Sequence, residues 1–125
     1  MKSSRDMDGK MDKLGARTKT FALMVIKLAE SLPNSGTGRV VKYQLLRSGT
    51  GVGANYRAAK RAKSAADFIS KMGTVEEEAD ETMYWMELIV ESGLMSEQVV
   101  SDLYSEADEI LAMTVASINT ARKSQ

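Results

Sequence analysis

Histidine and cysteine are both absent from this chain of 125 residues, and proline occurs only once. Without cysteine there is no disulfide framework, no thiolate zinc site and no thiol nucleophile. Without histidine the commonest general base and the commonest transition-metal ligand are missing. The composition therefore disfavours most hydrolase mechanisms.

Long hydrophobic runs are also missing. No stretch of about 18 apolar residues occurs, so we expect neither a membrane span nor a membrane partner. Residues 1–12 carry charges without an apolar segment behind them, which is unlike a signal peptide. We therefore expect a cytoplasmic protein, and its length suits one domain.

The charges are unevenly distributed along the chain, although they sum to zero. Residues 1–71, the basic half, contain 15 Lys and Arg against 5 Asp and Glu. Residues 72–125, the acidic half, contain 2 against 12. This division indicates either an anion-binding surface or oppositely charged helices that pack together, and the two interpretations do not exclude one another.

Few loop signals interrupt the chain. Residues 33–38 form the one strong loop cluster, Pro-Asn-Ser-Gly-Thr-Gly. Gly93 is typical of a left-handed helix cap, Ser96 of an N-cap, and Ser64 with Asp67 of a capping box. These signals predict helices at about residues 11–32, 39–62, 65–92 and 96–122.

Apolar residues repeat at alternating spacings of four and three in three of these segments, as in Phe21, Val25 and Leu28. This spacing is the seam of helices that cross at about 20°. No stretch alternates apolar and polar residues for long enough to predict a strand. The sequence therefore predicts an all-α, antiparallel four-helix bundle over residues 11–122, with a flexible N-terminal tail at 1–10 and a short C-terminal tail at 123–125.

The third predicted helix has more apolar surface than one seam requires. The extra residues lie beside the seam, and surplus apolar faces on soluble proteins commonly mark interfaces. We therefore expect a homo-oligomer, with an interface formed by Ile69, Met83, Trp85 and Val90.

Residues 47–55, RSGTGVGAN, look at first like a phosphate-binding loop. The P-loop pattern requires Gly-Lys-Ser/Thr after its last glycine, whereas Ala54 and Asn55 follow here. We interpret the small residues as allowing the second helix to approach a neighbour closely, with anion binding by exposed amides as the alternative.

Residues 76–81, EEEADE, contain the spacing Glu77-Glu78-x-x-Glu81 that some magnesium-dependent nucleotide pyrophosphohydrolases use. The seam positions place Glu77, Asp80 and Glu81 mostly outward, so the carboxylates do not converge. We expect a solvated or ion-paired face and no metal site.

The densest basic cluster lies at the end of the second helix. Arg57 and Arg61 share one helical face, and Lys60 and Lys63 share another. Such a cluster is typical of phosphate contacts, while pairing with the acidic third helix is the alternative. The candidate nucleic-acid-binding residues are Arg47, Asn55, Arg57, Lys60, Arg61, Lys63 and Lys71.

Residues 44–59, QLLRSGTGVGANYRAA, resemble a known signature. It belongs to four-helix bundle proteins encoded in intervening sequences of bacterial 23S ribosomal RNA genes, with the approximate pattern R-S-G-T-S-I-G-A-N-Y-x-E-A. Residues 64–72 and 78–86 resemble a second block of the same family, in the expected order. Two departures from this pattern matter: Gly51 replaces the usual Ser, and Ala58 replaces the usual Glu.

The resemblance implies an up-down bundle that assembles into a ring, most often a pentamer, and no established catalytic activity. A related branch comprises accessory proteins of diversity-generating retroelements, which form similar rings and bind nucleic acid and a reverse transcriptase. These implications are expectations at the level of the fold.

The first functional hypothesis is a non-enzymatic, oligomeric bundle that binds structured RNA or DNA through its basic second helix. It requires no catalytic residue, no metal and no cofactor. The second is a protein-interaction scaffold whose basic and acidic halves meet within or between subunits. The third is a magnesium-dependent nucleotide pyrophosphohydrolase centred on Glu78 and Glu81.

Overall fold

The computed structural model describes residues 12–125, which form four helices and contain no strand. All four predicted helical segments are confirmed, and no predicted boundary differs from the observed one by more than three residues. The predicted tail at residues 1–10 lies outside the described residues. The helices are α1 (Lys13–Glu30), α2 (Gly36–Lys60), α3 (Ala65–Glu91) and α4 (Glu97–Lys123).

The prediction that residues 36–38 belong to a loop is wrong, because they form the first turn of α2. Ser35 caps this helix, with its side chain accepting a hydrogen bond of 3.0 Å from the Gly38 amide. A Cβ at Gly38 would lie 2.0 Å from the Pro33 carbonyl oxygen. Glycine is therefore required at position 38, because a larger residue in this first turn of α2 would clash with the Pro33 backbone.

The start of α3 and the start of α4 are capped differently. Ser64 accepts a hydrogen bond of 3.0 Å from the Asp67 amide, and Asp67 accepts one of 3.1 Å from the Lys63 amide. This is a variant of the predicted capping box. Ser96 precedes α4 as predicted, but its side chain makes no capping bond. Gly93, between the two helices, has the predicted left-handed conformation at a φ of 81°.

The predicted seam forms the hydrophobic core. Phe21 and Val25 of α1 are fully buried, as is Ile110 of α4. Two seam positions, Phe68 and Ser117, are only half-buried. The four-three spacing thus identified the buried face of α1, α3 and α4 correctly at nearly every position.

Each helix packs against two neighbours: α1 and α3 each contact both α2 and α4. Within residues 12–125, no Cα atom of α1 lies within 8 Å of a Cα atom of α3, and the same holds for α2 and α4. Ion pairs join Asp12, just before α1, to Lys60 at the end of α2, and Glu30 at the end of α1 to Lys42 near the start of α2. In the described part of the chain, no helix combines the length and hydropathy needed to cross a bilayer.

Glycines bring α2 close to α1, as the sequence predicted. A Cβ at Gly49 would lie 2.5 Å from Cγ1 of Val25, a separation that real Cβ atoms do not show. A Cβ at Gly53 would lie 3.3 Å from the carbonyl oxygen of Thr18. The glycine-rich segment is therefore a helix-packing surface, and its glycines allow backbone and side chains of α1 to come near.

Candidate nucleic-acid interface

Arg47, one of the predicted binding residues, lies between α2 and α3 and is already engaged. One guanidinium nitrogen lies 3.5 Å from Oε1 of Glu78, and another pairs with the carboxylate of Glu81. Gln44, one turn earlier on α2, also accepts a hydrogen bond of 3.2 Å from Nε of Arg47. The charge of Arg47 is thus paired with carboxylates of α3.

These contacts form one side of a polar cluster between α2 and α3. Glu78 has only 18% of its side chain exposed, and this burial raises the pKa of its carboxyl group while the charge of Arg47 opposes the rise. Next to it, the buried hydroxyl of Thr82 donates a hydrogen bond of 3.0 Å to Ser48. The cluster fixes how α2 packs on α3.

Three further predicted binding residues make contacts of their own. The side-chain amide of Asn55 donates a hydrogen bond of 2.8 Å to the Gly51 carbonyl of the same helix. Lys60 pairs with Asp12, and Lys71 lies 2.6 Å from Asp67. Lys71 and the Lys63 amide together hold the pKa of Asp67 below its usual value.

The remaining three predicted residues, Arg57, Arg61 and Lys63, behave differently. All are exposed at the end of α2 or in the connection to α3. Among residues 12–125, none of their side chains forms an ion pair, although the charge of Lys63 contributes to lowering the pKa of Asp67. The predicted set therefore divides into four residues with intramolecular contacts and three cations open to solvent.

Folding brings more cations to the same end of the molecule. Asp12 beside Lys60 places the start of α1 there. Helices α3 and α4 are each 27 residues long, and Tyr104 of α4 donates a hydrogen bond of 2.7 Å to Glu87 of α3 near their short connection. Farther along α4, Leu111 lines the same groove as Gly73 and Glu76, which lie earlier on α3.

We call this the basic end of the molecule, formed by residues 12–16, 54–72 and 112–123. It contains eight Lys and Arg against two Asp and Glu. Its two carboxylates are the partners of Lys60 and Lys71. Six cations at the basic end have no ion-pair partner in the described part of the chain: Lys13, Arg57, Arg61, Lys63, Arg122 and Lys123.

Sequence reasoning missed Lys13, Arg122 and Lys123, which lie at the two ends of the helical region. Each is unremarkable in its own stretch of sequence. The signal that would have found them is the connection length: short connections make consecutive helices run in opposite directions. In an up-down arrangement the first turn of α1 and the last turn of α4 belong to the same end of the bundle as the end of α2.

Pairing between the basic half and the acidic half is limited. Arg17 lies 2.6 Å from Glu106 and 2.8 Å from Glu109, and these hydrogen bonds raise its pKa further. Arg47 is the other cation that reaches an acidic-half carboxylate within residues 12–125. The three other ion pairs of the described chain join residues of the basic half to each other.

The acidic run on α3 does not converge on one point. Glu78 and Glu81 face Arg47, while Glu76, Glu77 and Asp80 line an open groove of about 310 Å³ with Gly73 and Leu111. In residues 12–125 no three acidic side chains are arranged to hold a metal ion. Glu77 and Asp80 are exposed as the seam positions predicted, whereas Glu81 is half-buried and pairs with Arg47.

The predicted interface residues pack against the core of their own chain. Met83 is 9% exposed, and Ile69, Trp85 and Val90 are half-buried against core residues. Trp85 also donates a hydrogen bond of 3.1 Å to Glu81. Their role between subunits stays a prediction, and much of the surplus apolar surface of α3 is used within the monomer.

Comparison with known proteins identifies the family. A family model described as 23S rRNA-intervening sequence protein matches residues 13–116. A crystal structure of a protein with unknown function from the S23 ribosomal protein family of Bacteroides thetaiotaomicron is 33% identical, with a TM-score of 0.79, and the match covers 84% of this chain and 97% of that one. No curated protein matches this chain. The chain belongs to the family of 23S rRNA-intervening sequence proteins.

Proposed function

We propose that this protein is a non-enzymatic helical bundle that binds the phosphate backbone of RNA, or of another nucleic acid, through basic residues at the end of α2. The observation that carries the proposal is the state of Arg57 and Arg61. Both are exposed, and neither has a carboxylate partner among the residues described. Arginine at fixed positions on a helix suits phosphate oxygens, which accept from its planar donors.

The family's description refers to intervening sequences of 23S rRNA, which makes RNA the first nucleic acid to test. The solved relative has unknown function and therefore indicates no ligand. Backbone binding needs positive charge on a rigid scaffold and no base recognition. Helix α2, packed along both α1 and α3, is such a scaffold.

The test is binding of a labelled RNA hairpin, followed by fluorescence anisotropy from 50 to 200 mM salt. Each phosphate contact adds about 0.7 to 0.9 units to the log–log salt slope, which corresponds to a factor of about 5 to 8 in affinity at 0.1 M relative to 1 M. The variant R57Q/R61Q should therefore have a slope shallower by about 1.5 to 2 units and bind about 30- to 60-fold more weakly at 0.1 M.

The matched control is K19Q/K27Q, which removes the same positive charge from exposed positions of α1. It should retain nearly the binding of the unchanged protein. Equal losses in both variants would mean that only net charge matters. Absence of binding by the unchanged protein at 50 mM salt would overturn the proposed function.

We further propose that the bundle is antiparallel and up-down, and that it forms a homo-oligomer, with a pentameric ring expected from the resemblance. The contacts of Asp12 with Lys60 and of Glu30 with Lys42 support the alternating directions of α1 and α2. Large apolar side chains left in solvent support association, with Leu23 61% exposed and Tyr43 64% exposed. Sedimentation equilibrium should give a multiple of 13.7 kDa, and the mass of one chain would contradict this part of the proposal.

The second candidate is a scaffold held by its own charges, which the contacts of Arg17 with Glu106 and Glu109 favour. It predicts that high salt dissociates the oligomer and that RNA has no effect on it. The same salt series, followed by light scattering with and without the hairpin, distinguishes the two candidates.

A further inference from the structure

We propose that nucleic acid is bound across the basic end of the bundle, where the ends of all four helices meet, and not along the length of α2. This inference rests on the proposed function and adds which surface carries it. It assigns phosphate contacts to Lys13, Arg122 and Lys123, and it excludes Arg47 from the residues that contact phosphate.

Position along the axis is the first argument. Arg47 lies ten residues before Arg57 on α2, which corresponds to about 15 Å of helix. Its guanidinium is held by Glu78 and Glu81, so phosphate would have to compete with two carboxylates for it. A strand lying along α2 would pass this neutralised stretch, whereas a strand crossing the end would meet cations from several helices.

The second argument is the local charge. Eight cations and two carboxylates lie at the basic end, while residues 26–44 and 84–104, which form the opposite end, contain three Lys and Arg against five Asp and Glu. Two helices begin and two end at the basic end, so the partial charges of their termini largely offset each other. The charged side chains therefore determine the potential there.

The third argument is the area over which the charges are spread. Adjacent helices of a bundle lie about 8 to 10 Å apart, so cations at four helix ends span roughly 20 Å. A duplex carries one phosphate charge per about 1.7 Å of its axis, and several phosphates fall within that span. Six unpaired cations would give a salt slope of about −4 to −5.

The experiment uses the variant K13Q/R122Q/K123Q, in which α2 is unchanged. The probe is the same RNA hairpin, measured from 50 to 200 mM salt. Loss of three contacts should make the slope shallower by about 2 to 3 units and reduce affinity at least 100-fold at 0.1 M. The matched control, K19Q/K27Q/R39Q, replaces two lysines and one arginine elsewhere and should change the slope by less than about one unit.

The outcomes separate this inference from the proposed function. A large effect of the end variant and a small effect of the control support binding across the basic end. Equal effects, in a protein that still requires Arg57 and Arg61, would overturn the inference and leave the proposed function standing. No binding by the unchanged protein would overturn both. Circular dichroism of each variant verifies that the helices are retained.

Discussion

The two ends of the molecule differ in charge although the chain as a whole is neutral. The basic end has eight cations and two carboxylates, and the opposite end has three cations and five carboxylates. The basic and acidic halves of the sequence indicate only part of this arrangement, because each end collects residues from both. The charge of each end of the molecule therefore depends on where the helix ends lie in space.

The largest expected effect comes from removing the difference between the ends. Neutralising the basic end with K13Q, R57Q, R61Q, R122Q and K123Q removes five of the six unpaired cations. Hairpin affinity at 0.1 M salt should fall by about 3,000-fold or more, and the remaining salt slope should be near −1. Binding that remains steeply salt-dependent in this variant would show that phosphates are contacted elsewhere.

A second prediction compares two arginines of α2, one in the middle of the bundle and one at its basic end. R47M leaves Glu78 half-buried without its counter-charge, so unfolding free energy should fall by about 1 to 2 kcal/mol. R57M should change stability by less than about 0.5 kcal/mol, because Arg57 is exposed.

Urea denaturation of both variants measures this difference in stability. Hairpin binding should show the opposite order, with a larger loss of affinity in R57M than in R47M. The double variant R47M/E78L tests the cause. It should recover part of the stability lost in R47M, because the uncompensated carboxylate is gone. An R47M protein as stable as R57M would contradict the assignment of Arg47 to the polar cluster.

A third prediction compares helix caps at the two ends. S64A removes the acceptor for the Asp67 amide at the basic end and should cost about 1 kcal/mol. S96A, at the opposite end, removes a side chain that makes no capping bond, and it should cost less than half as much. Thermal unfolding measures the loss of stability in each variant. Equal losses in S64A and S96A would contradict the difference between the two caps.

The smallest expected effects are shifts in the pKa values of two side chains, Asp67 and Tyr104. Hydrogen bonds from Lys71 and the Lys63 amide lower the pKa of Asp67, so its contribution to stability is present at neutral pH and is lost as pH falls through that lowered pKa. Near the opposite end, the hydrogen bond to Glu87 raises the pKa of Tyr104 to about 12. NMR of the Asp67 carboxyl and ultraviolet titration with Y104F as reference test both directions, and normal values would contradict the contacts.

The fold was largely predictable because it depends on local spacing. The seam residues Phe21 and Val25 follow from alternating steps of four and three, and the caps at Ser64 and Gly93 follow from residue type. The start of α2 was misplaced because glycine usually signals a loop. At Gly38 it instead makes room for the Pro33 carbonyl, which a local pattern does not reveal.

The candidate interface was less predictable because availability of a charge depends on what lies opposite. Arg47 and Arg57 lie on the same helix, and the sequence predicted the same role for both. Of the two, Arg47 alone faces carboxylates of α3. Likewise, Lys13 and Lys123 are distant in sequence, and the proposed up-down arrangement of the helices brings them to one end. Charge composition left an anion-binding surface and pairing between helices both open, and the ion pairs of residues 12–125 distinguish the engaged cations from the unpaired ones.

The most direct test of the central claim is an NMR titration of the labelled protein with the RNA hairpin. Backbone amide shifts should change at the start of α1, the end of α2, the start of α3 and the end of α4. Amides around Arg47 and throughout residues 26–44 and 84–104 should change little. Shifts spread evenly along α2, or concentrated at the opposite end, would contradict binding across the basic end.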